Sequence, residues 1–289
     1  PDCAIAESKF EQGEDVSTRM LALMSKLNDI HRRGTPDIEF AVVGMLVRYQ
    51  TSVGRALDAR TTLESLRKRF VEVNEGRFLP NLDAMLCRID LREGDLVAVG
   101  DWYRDKAPKD QIHLQTMKRY QYLTQAMAEI ALGNSRAALL TLAALEPYFT
   151  TCQRHIDGIH LNVITAISLY RSKDETWRQR LTDALDAAAE YRFIRTVSVY
   201  GTAVLPLLDA LANAETLQIS AADLKRLRGA HADFTGRVLG RAVPLADAQL
   251  AYELEPSSQD RFSTAKFDAL ARRAAAKKRS ARKGNAPKP

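Results

Sequence analysis

Short breaks recur along the chain about every 40 residues, and this regularity constrains the fold more than any other feature. The breaks are centred on Gly13, Gly54, Gly94, Gly133 and Lys173, at steps of 41, 40, 39 and 40 residues. Each separates two stretches of helical apolar periodicity, as YQYLTQAMAEIAL and SRAALLTLAALEPYF do around Gly133. Glycine in a left-handed conformation commonly ends a helix. The sequence therefore predicts about five helical hairpins, one per repeat.

Two helices per repeat, kept in register, are typical of an α-solenoid, because stacked hairpins bury apolar faces that none can bury alone. We expect an all-α fold, a right-handed α-α superhelix of tetratricopeptide-like units over residues 1–211. The predicted units lie near residues 1–33, 35–73, 79–106, 114–149 and 158–191. The scarcity of Gly and Pro, 24 together, disfavours a turn-rich all-β fold.

Within the fourth unit, the helix after Gly133 is expected to pack through one face. The residues of that face are Ala137, Ala138, Leu142 and Leu145. Proline cannot continue the hydrogen-bond ladder of a helix, so Pro147 is expected to end this one.

The pattern changes after residue 190. Residues 193–200 are interpreted as a short extended piece followed by another helix. Residues 212–271 are predicted to form additional C-terminal helices, the last of them capped by Ser263. Residues 272–289 are predicted to be a basic, disordered tail.

The tail also accounts for the basic net charge. Residues 260–289 carry ten Lys and Arg against two Asp, so the rest of the chain has a net charge of −2 out of the overall +6. Such a tail could contact phosphates without sequence preference. The candidate nucleic-acid contacts are Arg272, Arg273, Lys277, Lys278 and Arg279. A solvated end without a partner is favoured, because KKRSARKG holds no aromatic ring to stack on bases.

Cysteine usage and the chain start bear on localisation. Cys3, Cys87 and Cys152 are far apart, which gives no disulfide framework and predicts a cytoplasmic location. Cys87 and Cys152 are expected to act as small apolar residues. No apolar run is long enough for a membrane span, and PDCAIAESKFEQG does not resemble a signal peptide. Because the chain lacks an initiator Met, we expect a processed or excised piece.

Three stretches carry a family resemblance by their order and spacing. They are LPNLDAMLCRIDLREGDLVAVGDWYRDKAP, RYQYLTQAMAEIALGNSRAALLTLAALEPYF and VITAISLYRSKDETWRQRLTDALDAAAEYRFIRTVSVYGTAVLPLLDAL. Over roughly residues 35–211 the chain resembles the helical-repeat region of large ATP-binding LuxR-type (MalT-like) transcription regulators. The resemblance implies a superhelical repeat domain that binds the inducer and assembles the regulator, beside an NTPase module, a winged-helix linker and a DNA-binding helix-turn-helix.

Two of those modules are not recognisable in this chain. GxxxxGK[ST] is absent, so the ATP cofactor of the family is expected only on a module outside this chain. Residues 246–273 fit a helix-turn-helix poorly, because Glu255 and Pro256 fall at the tight turn. DNA contact is therefore expected only through a missing module or weakly through the tail.

Motifs for catalysis and metal binding are also missing. GxSxG and HExxH are absent. Asp90, Glu93 and Asp95 flank a helix break, where acids more often cap or solvate helix ends. Cys152 and His155 form a lone CxxH, whereas zinc needs three or four ligands together. We expect neither an enzyme nor a metal site.

Aromatic and arginine side chains near the third and fourth units are the candidate ligand-binding residues. Sugar rings stack on aromatic faces, and arginine holds a carboxylate or phosphate with two hydrogen bonds. The candidates are Trp102, Arg119, Tyr120, Tyr122, Arg192 and Arg195, with Tyr103 and Tyr200 flanking the same repeats. Packing explains each of them singly, and only the group suggests a site.

Position within the repeat separates these candidates. Tyr103 and Tyr122 are expected to pack between hairpins. Arg119 and Tyr120 begin a first helix, the kind that lines the concave side of such solenoids. Glu129 stands where the pattern calls for an apolar residue, and we expect it to pair with an arginine or to point into the groove.

The leading hypothesis is an effector-sensing and self-association domain of a LuxR-type transcription regulator. A small-molecule inducer or a protein partner would bind the concave face, and a homo-oligomer is left open. A free-standing protein-binding scaffold and a nucleic-acid-associated protein that uses the basic tail are the alternatives.

Overall fold

The computed structural model describes residues 2–108, 114–115 and 118–212, together with Val238 and Ala242. Every regular element in these residues is helical, which confirms the predicted all-α helical-repeat superhelix. The helices are α1 Asp2–Glu11, α2 Ser17–Ser25, α3 Leu27–Arg33, α4 Pro36–Ser52, α5 Ala56–Glu72, α6 Leu79–Glu93, α7 Leu96–Asp105, α8 Arg119–Ala131, α9 Ser135–Thr151, α10 His155–Arg171, α11 Trp177–Tyr191, α12 Ile194–Ser198 and α13 Leu205–Ala212.

Helices before and after each break differ in how much of their surface is buried. The helix α8, which precedes a break, buries residues on nearly all sides, among them Gln121, Thr124 and Glu129. The helix α5, which follows one, buries only a stripe of Ala59, Leu63, Leu66 and Phe70. A helix buried along one stripe faces solvent on its other side. The first helices α4, α6, α8 and α10 are buried broadly and form an inner layer, and the second helices form an outer one.

The predicted left-handed breaks are present in all five repeats. The φ angles are +78° at Gly13, +80° at Gly54, +72° at Gly94, +85° at Gly133 and +59° at Lys173. At each break the next amide donates to the carbonyl five residues earlier, for example from residue 55 to residue 50 at 2.8 Å. This bond defines a Schellman helix end. The prediction is confirmed, and it extends to the one break without glycine.

Second helices end in the same way without any glycine. Asn74, Gln153 and Arg192 have φ angles of +59°, +49° and +61°. After each of them the next amide again donates to the carbonyl five residues earlier, at 2.8 to 3.0 Å. Sequence inspection missed these ends because glycine was the signal used to find the others.

Two secondary-structure predictions were wrong. Residues 194–198 form the short helix α12 instead of an extended piece, because the burial of Thr196 and Val197 against neighbouring helices overrides their preference for strands. Pro147 does not end α9, which continues to Thr151. Pro147 and Ala143 both lie on the exposed side, where the carbonyl that Pro147 cannot bond is open to water.

Apolar packing is continuous at the C-terminal half of the described chain. Leu142 and Leu145 lie in one core cluster with Leu207 and Leu208, whereas Ala137 on the same helix is only partly covered. Val238 and Ala242 are helical and fully buried in that cluster. Ser263, the segment 246–273 and the tail contacts at 272–279 lie outside the described residues.

The prediction that Cys87 and Cys152 act as small apolar residues is confirmed only for Cys87. Cys87 is buried beside Val99 and Trp102, and burial raises the pKa of its thiol. Cys152 is exposed at the end of α9, because its side chain lies at a helix end that no other element covers. No helix among the described residues is long and apolar enough to cross a membrane.

Candidate functional site

Helices α1 and α12 meet near opposite ends of the repeat region, through residues that are 185 positions apart in the chain. The Thr196 hydroxyl on α12 donates to Glu11 Oε2 on α1 at 2.6 Å. Arg195 Nε donates to the Phe10 carbonyl at 3.1 Å, and its guanidinium carbon lies 3.9 Å from the centre of the Phe10 ring. The described superhelix therefore closes on itself, and we call these contacts the closure.

Glu11 connects the closure to the second repeat. Its side chain is 2 % exposed and forms an ion pair with Arg48 on α4. Arg48 also pairs with Glu7 at 2.8 Å. A buried carboxylate is costly unless it is paired and hydrogen-bonded, and Glu11 has both kinds of partner. One acidic side chain thus joins α1, α4 and α12.

Inside the closed superhelix, arginine and tyrosine side chains from neighbouring first helices stack. Arg88 on α6 donates from Nε to the Thr124 hydroxyl on α8 at 2.8 Å. Its guanidinium carbon lies 3.9 Å from the centre of the Tyr120 ring. An arginine over an aromatic face is held by attraction to the ring electrons. These two contacts fix the position of the Arg88 side chain.

His160 and Tyr200 meet on the C-terminal side of the same space, with Nδ1 and the hydroxyl oxygen 2.8 Å apart. Burial, followed by the positive charges of Arg88 and Arg48, lowers the pKa of His160 to about 3. Burial raises the pKa of the Tyr200 phenol. Both groups are therefore neutral at pH 7. Glu11, Arg48, Arg88, Tyr120, His160 and Tyr200 are named the interior cluster.

Several of the candidate residues from the sequence come together here. Tyr120 and Tyr200 belong to the interior cluster, and Arg195 forms part of the closure. Arg119 pairs with Asp157 on α10 at 3.3 Å, next to Tyr120. The start of α8 therefore faces the interior, as expected from its position in the repeat.

Other candidates lie elsewhere. Tyr122 is buried in the C-terminal core cluster. Trp102 packs in the cluster around Cys87, and its indole nitrogen has no hydrogen-bond partner among the described residues. Arg192 is exposed at the left-handed end of α11. Tyr103 is partly buried and donates its hydroxyl to Glu129 at 3.2 Å. None of these four reaches the interior cluster.

The sequence analysis missed Glu11, Arg48, Arg88 and His160. A signal for three of them was available in the repeat register. Arg48 and Arg88 each lie six residues before the glycine of their repeat, and Tyr120, His160 and Tyr200 follow one another at intervals of 40 residues. Equivalent positions on stacked first helices point in the same direction. Overlaying the repeats would therefore have shown one row of arginines and one of ring side chains.

Glu129 has neither of the environments expected for it. It is 1 % exposed and forms no ion pair among the described residues. Besides Tyr103, it accepts hydrogen bonds from Gln125 Nε2 at 2.9 Å and from the Thr141 hydroxyl at 3.1 Å. Burial raises its pKa, although the three donors oppose that effect. Glu129 therefore links α7, α8 and α9 without a cation.

A small cavity adjoins the closure. It has a volume of about 210 Å³ and is lined by the α1–α2 turn, the end of α4 and Arg195. Gly13, Ser17 and Tyr49 contribute to its wall. No group of three or more His, Cys, Asp or Glu within the described part of the chain is arranged to hold a metal ion.

Comparison with known proteins supports the architecture described above. The family model of the MalT-like TPR region matches residues 4–214, which extends the resemblance to the first hairpin. No curated protein and no solved structure gives a significant match. Since the matched residues make up well over half of the sequence and include both sides of the closure, the chain belongs to the MalT-like TPR region family.

Proposed function

We propose that this region is the effector-binding and self-association domain of a cytoplasmic LuxR-type transcription regulator, and that it has no catalytic role. The observation that carries the proposal is the interior cluster, which draws polar side chains from α1, α4, α6, α8 and α10 into one space. A ligand in that space would touch several repeats at once. It could therefore bias the curvature of the whole superhelix.

The closure offers a physical route from binding to regulation. A ligand shifts a conformational equilibrium only by its difference in affinity for the two states. Because Glu11 bonds to both α4 and α12, interior contacts and closure share side chains. A ligand that favours the closed arrangement would therefore change the relative position of the first and last repeats, and modules attached at either end would sense it.

A ligand screen tests the proposal. The protein is screened by thermal shift against sugars, amino acids, nucleotides and short organic acids, and each hit is checked by titration calorimetry. A ligand at 100 times its dissociation constant adds about 2.7 kcal/mol and should raise the melting temperature by several degrees. We expect at least one class of metabolite to bind saturably.

A matched pair of variants locates the binding. Tyr120→Ala removes an interior ring, whereas Arg136→Ala changes an exposed residue on the second helix α9. We expect the first to abolish the shift and the second to leave it intact. No hit across the panel, or a hit that Tyr120→Ala leaves unchanged, would contradict an interior effector site.

A protein-binding scaffold is the second candidate, and exposed aliphatic residues on the outer layer favour it. Leu57 and Val97 are 76 % and 55 % exposed, at equivalent positions three residues after Gly54 and Gly94. Aliphatic residues in a row on stacked helices are typical of protein contact surfaces. Light scattering over a range of concentrations tests it. Self-association that Leu57→Glu abolishes would support the outer surface as an interface.

A further inference from the structure

Arg88 differs from Arg48 in having no carboxylate partner among the residues that the structure describes. Arg48 is paired with Glu7 and Glu11. Arg88, in contrast, makes one hydrogen bond through Nε and stacks on Tyr120, and no ion pair to it occurs within the described residues. Neither contact uses its terminal nitrogens or neutralises its charge. A half-buried guanidinium is thus held in place with its fork of donors unused.

The groups facing Arg88 across the interior do not neutralise it. His160 and Tyr200 are both uncharged at pH 7. The positive charge of Arg88 acts to lower the pKa of each, which shows that it lies close to both. The positive charge of Arg48 also lowers the pKa of His160, so both guanidinium groups lie close to this side chain. Since Arg48 is already neutralised by Glu7 and Glu11, the uncompensated positive charge is that of Arg88, and it would attract an anion.

Guanidinium geometry indicates which anions fit. The planar fork of arginine matches carboxylate and phosphate oxygens with two parallel hydrogen bonds. An anion at Arg48 would have to displace Glu11 and disrupt the closure, whereas one at Arg88 displaces no carboxylate. The Tyr120 ring lies 3.9 Å from the Arg88 guanidinium carbon, and the charge of Arg88 acts on the Tyr200 phenol, so both side chains belong to the surroundings of a ligand bound at Arg88.

We propose that the interior cluster binds a small oxyanion ligand, a carboxylate or a phosphate, through the terminal nitrogens of Arg88. This rests on the proposed effector-binding function and specifies the chemical class of the effector. Thr124 and Tyr120 act as positioning residues for the guanidinium, and His160 and Tyr200 supply neutral polar contacts. Binding neutralises the charge of Arg88 and stabilises the closed superhelix.

Titration calorimetry at low ionic strength tests the oxyanion site with inorganic phosphate, succinate and neutral glucose as probes. The protein, Arg88→Gln, Arg88→Lys and the exposed control Arg136→Gln are compared. We expect one or both anions to bind, at least tenfold more weakly in Arg88→Gln, which corresponds to about 1.4 kcal/mol. Arg88→Lys keeps the positive charge but lacks the planar fork of donors, so it should bind the anions with intermediate affinity. Arg136→Gln should bind as the parent does.

The two anions distinguish a phosphate from a carboxylate ligand. Equal binding by Arg88→Gln and the parent, equal loss in Arg136→Gln, or failure of both anions to bind would each overturn the oxyanion site. If glucose or another neutral compound then bound in a Tyr120-dependent manner, the proposed effector function would stand without an oxyanion site. If no class of ligand bound, both the oxyanion site and the effector function would be rejected.

A second measurement keeps the test valid if Arg88→Gln fails to fold. In the parent protein, the ring proton signals of His160 are followed by nuclear magnetic resonance during addition of phosphate or succinate. An anion beside Arg88 should move these signals saturably, with His155, which lies at the start of α10, as the internal reference. Unchanged His160 signals at anion concentrations up to ~100 mM, a range typical of weak anion contacts, would overturn the proposal.

Discussion

At the scale of single residues, Glu129 is the least expected feature. Carboxylates are almost never fully buried without a cation, because charged groups lose hydration in the interior. Here three donors from α7, α8 and α9 replace that hydration. Gln125 Oε1 next to it is buried and has no hydrogen-bond partner in the part of the chain that the structure describes. This polar group joins three helices and also makes stability depend on pH.

The sign of that dependence follows from the raised pKa of Glu129. Below the ordinary value of 4.5 the carboxyl is protonated in both the folded and unfolded chains. As the pH rises, the unfolded chain ionises first, so stability is lost until the folded-state pKa has been passed. Glu129→Gln removes this loss of stability. After the Gln125 amide flips, the new amide nitrogen at position 129 can donate to Gln125 Oε1.

Urea unfolding from pH 4 to pH 7 measures the effect. We expect the free energy of unfolding of the parent, relative to Glu129→Gln, to fall as the pH rises. Glu129→Ala should cost about 1–3 kcal/mol, because it removes the acceptor of three hydrogen bonds, two of which are buried. The surface change Glu7→Gln is the control. A parent that gains stability relative to Glu129→Gln with rising pH would contradict the assignment.

At the scale of elements, the helix ends carry the regularity of the fold. Eight helices end with a residue at positive φ followed by the same long-range amide bond, but only four of those residues are glycine. Non-glycine residues pay about 1–2 kcal/mol to adopt this conformation. Geometry is thus conserved among the repeats where residue type is not.

Alanine substitutions at two glycines distinguish backbone strain at positive φ from steric crowding by the added Cβ. Gly54 has φ of +80° with nothing within 4 Å of an added Cβ, whereas Gly100 lies inside α7 with a Leu132 carbon at 3.9 Å. Gly54→Ala should therefore lose about 1–2 kcal/mol through backbone strain alone. Gly100→Ala should gain about 0.5–1 kcal/mol, since alanine favours helix interiors. Thermal unfolding compares the two, and equal signs would refute the explanation.

At the scale of the whole molecule, the closure decides whether the repeats behave as an open array or as one body. Stacked repeats usually contact only their neighbours, so each end can open independently. Bonds from Glu11 and Phe10 to α12 couple the two ends. Local unfolding of the repeats at one end should therefore also make the other end more exposed to solvent.

Hydrogen exchange with Glu11→Gln tests this coupling. The change weakens a buried ion pair and should cost about 1–2 kcal/mol, since Arg48 retains Glu7 and partial exposure. We expect faster exchange in both α1 and α12, with α9 unchanged. Glu7→Gln, which alters an exposed partner of the same arginine, should have little effect. Faster exchange confined to α1 would mean that the closure does not couple the ends.

Most of the local structure of this protein can be predicted from its residues. Repeated breaks, helical periodicity and glycine positions predict the hairpins, because the bonds that end a helix join residues five apart. The same information placed Tyr120 on the inner face. Helix α12 and the continuation of α9 through Pro147 were not predicted, since burial and solvent exposure outweigh local preference there.

Only the tertiary structure decided which charged groups meet. The small rotation between successive hairpins accumulates over five repeats and brings Thr196 to Glu11. No pattern in the sequence measures that rotation, because it depends on how side chains pack between hairpins. The pairing of Arg48, the stacking of Arg88 on Tyr120 and the burial of Glu129 likewise depend on how neighbouring hairpins pack. A repeat can thus be recognised from its residues, but the interior it encloses depends on how the repeats stack.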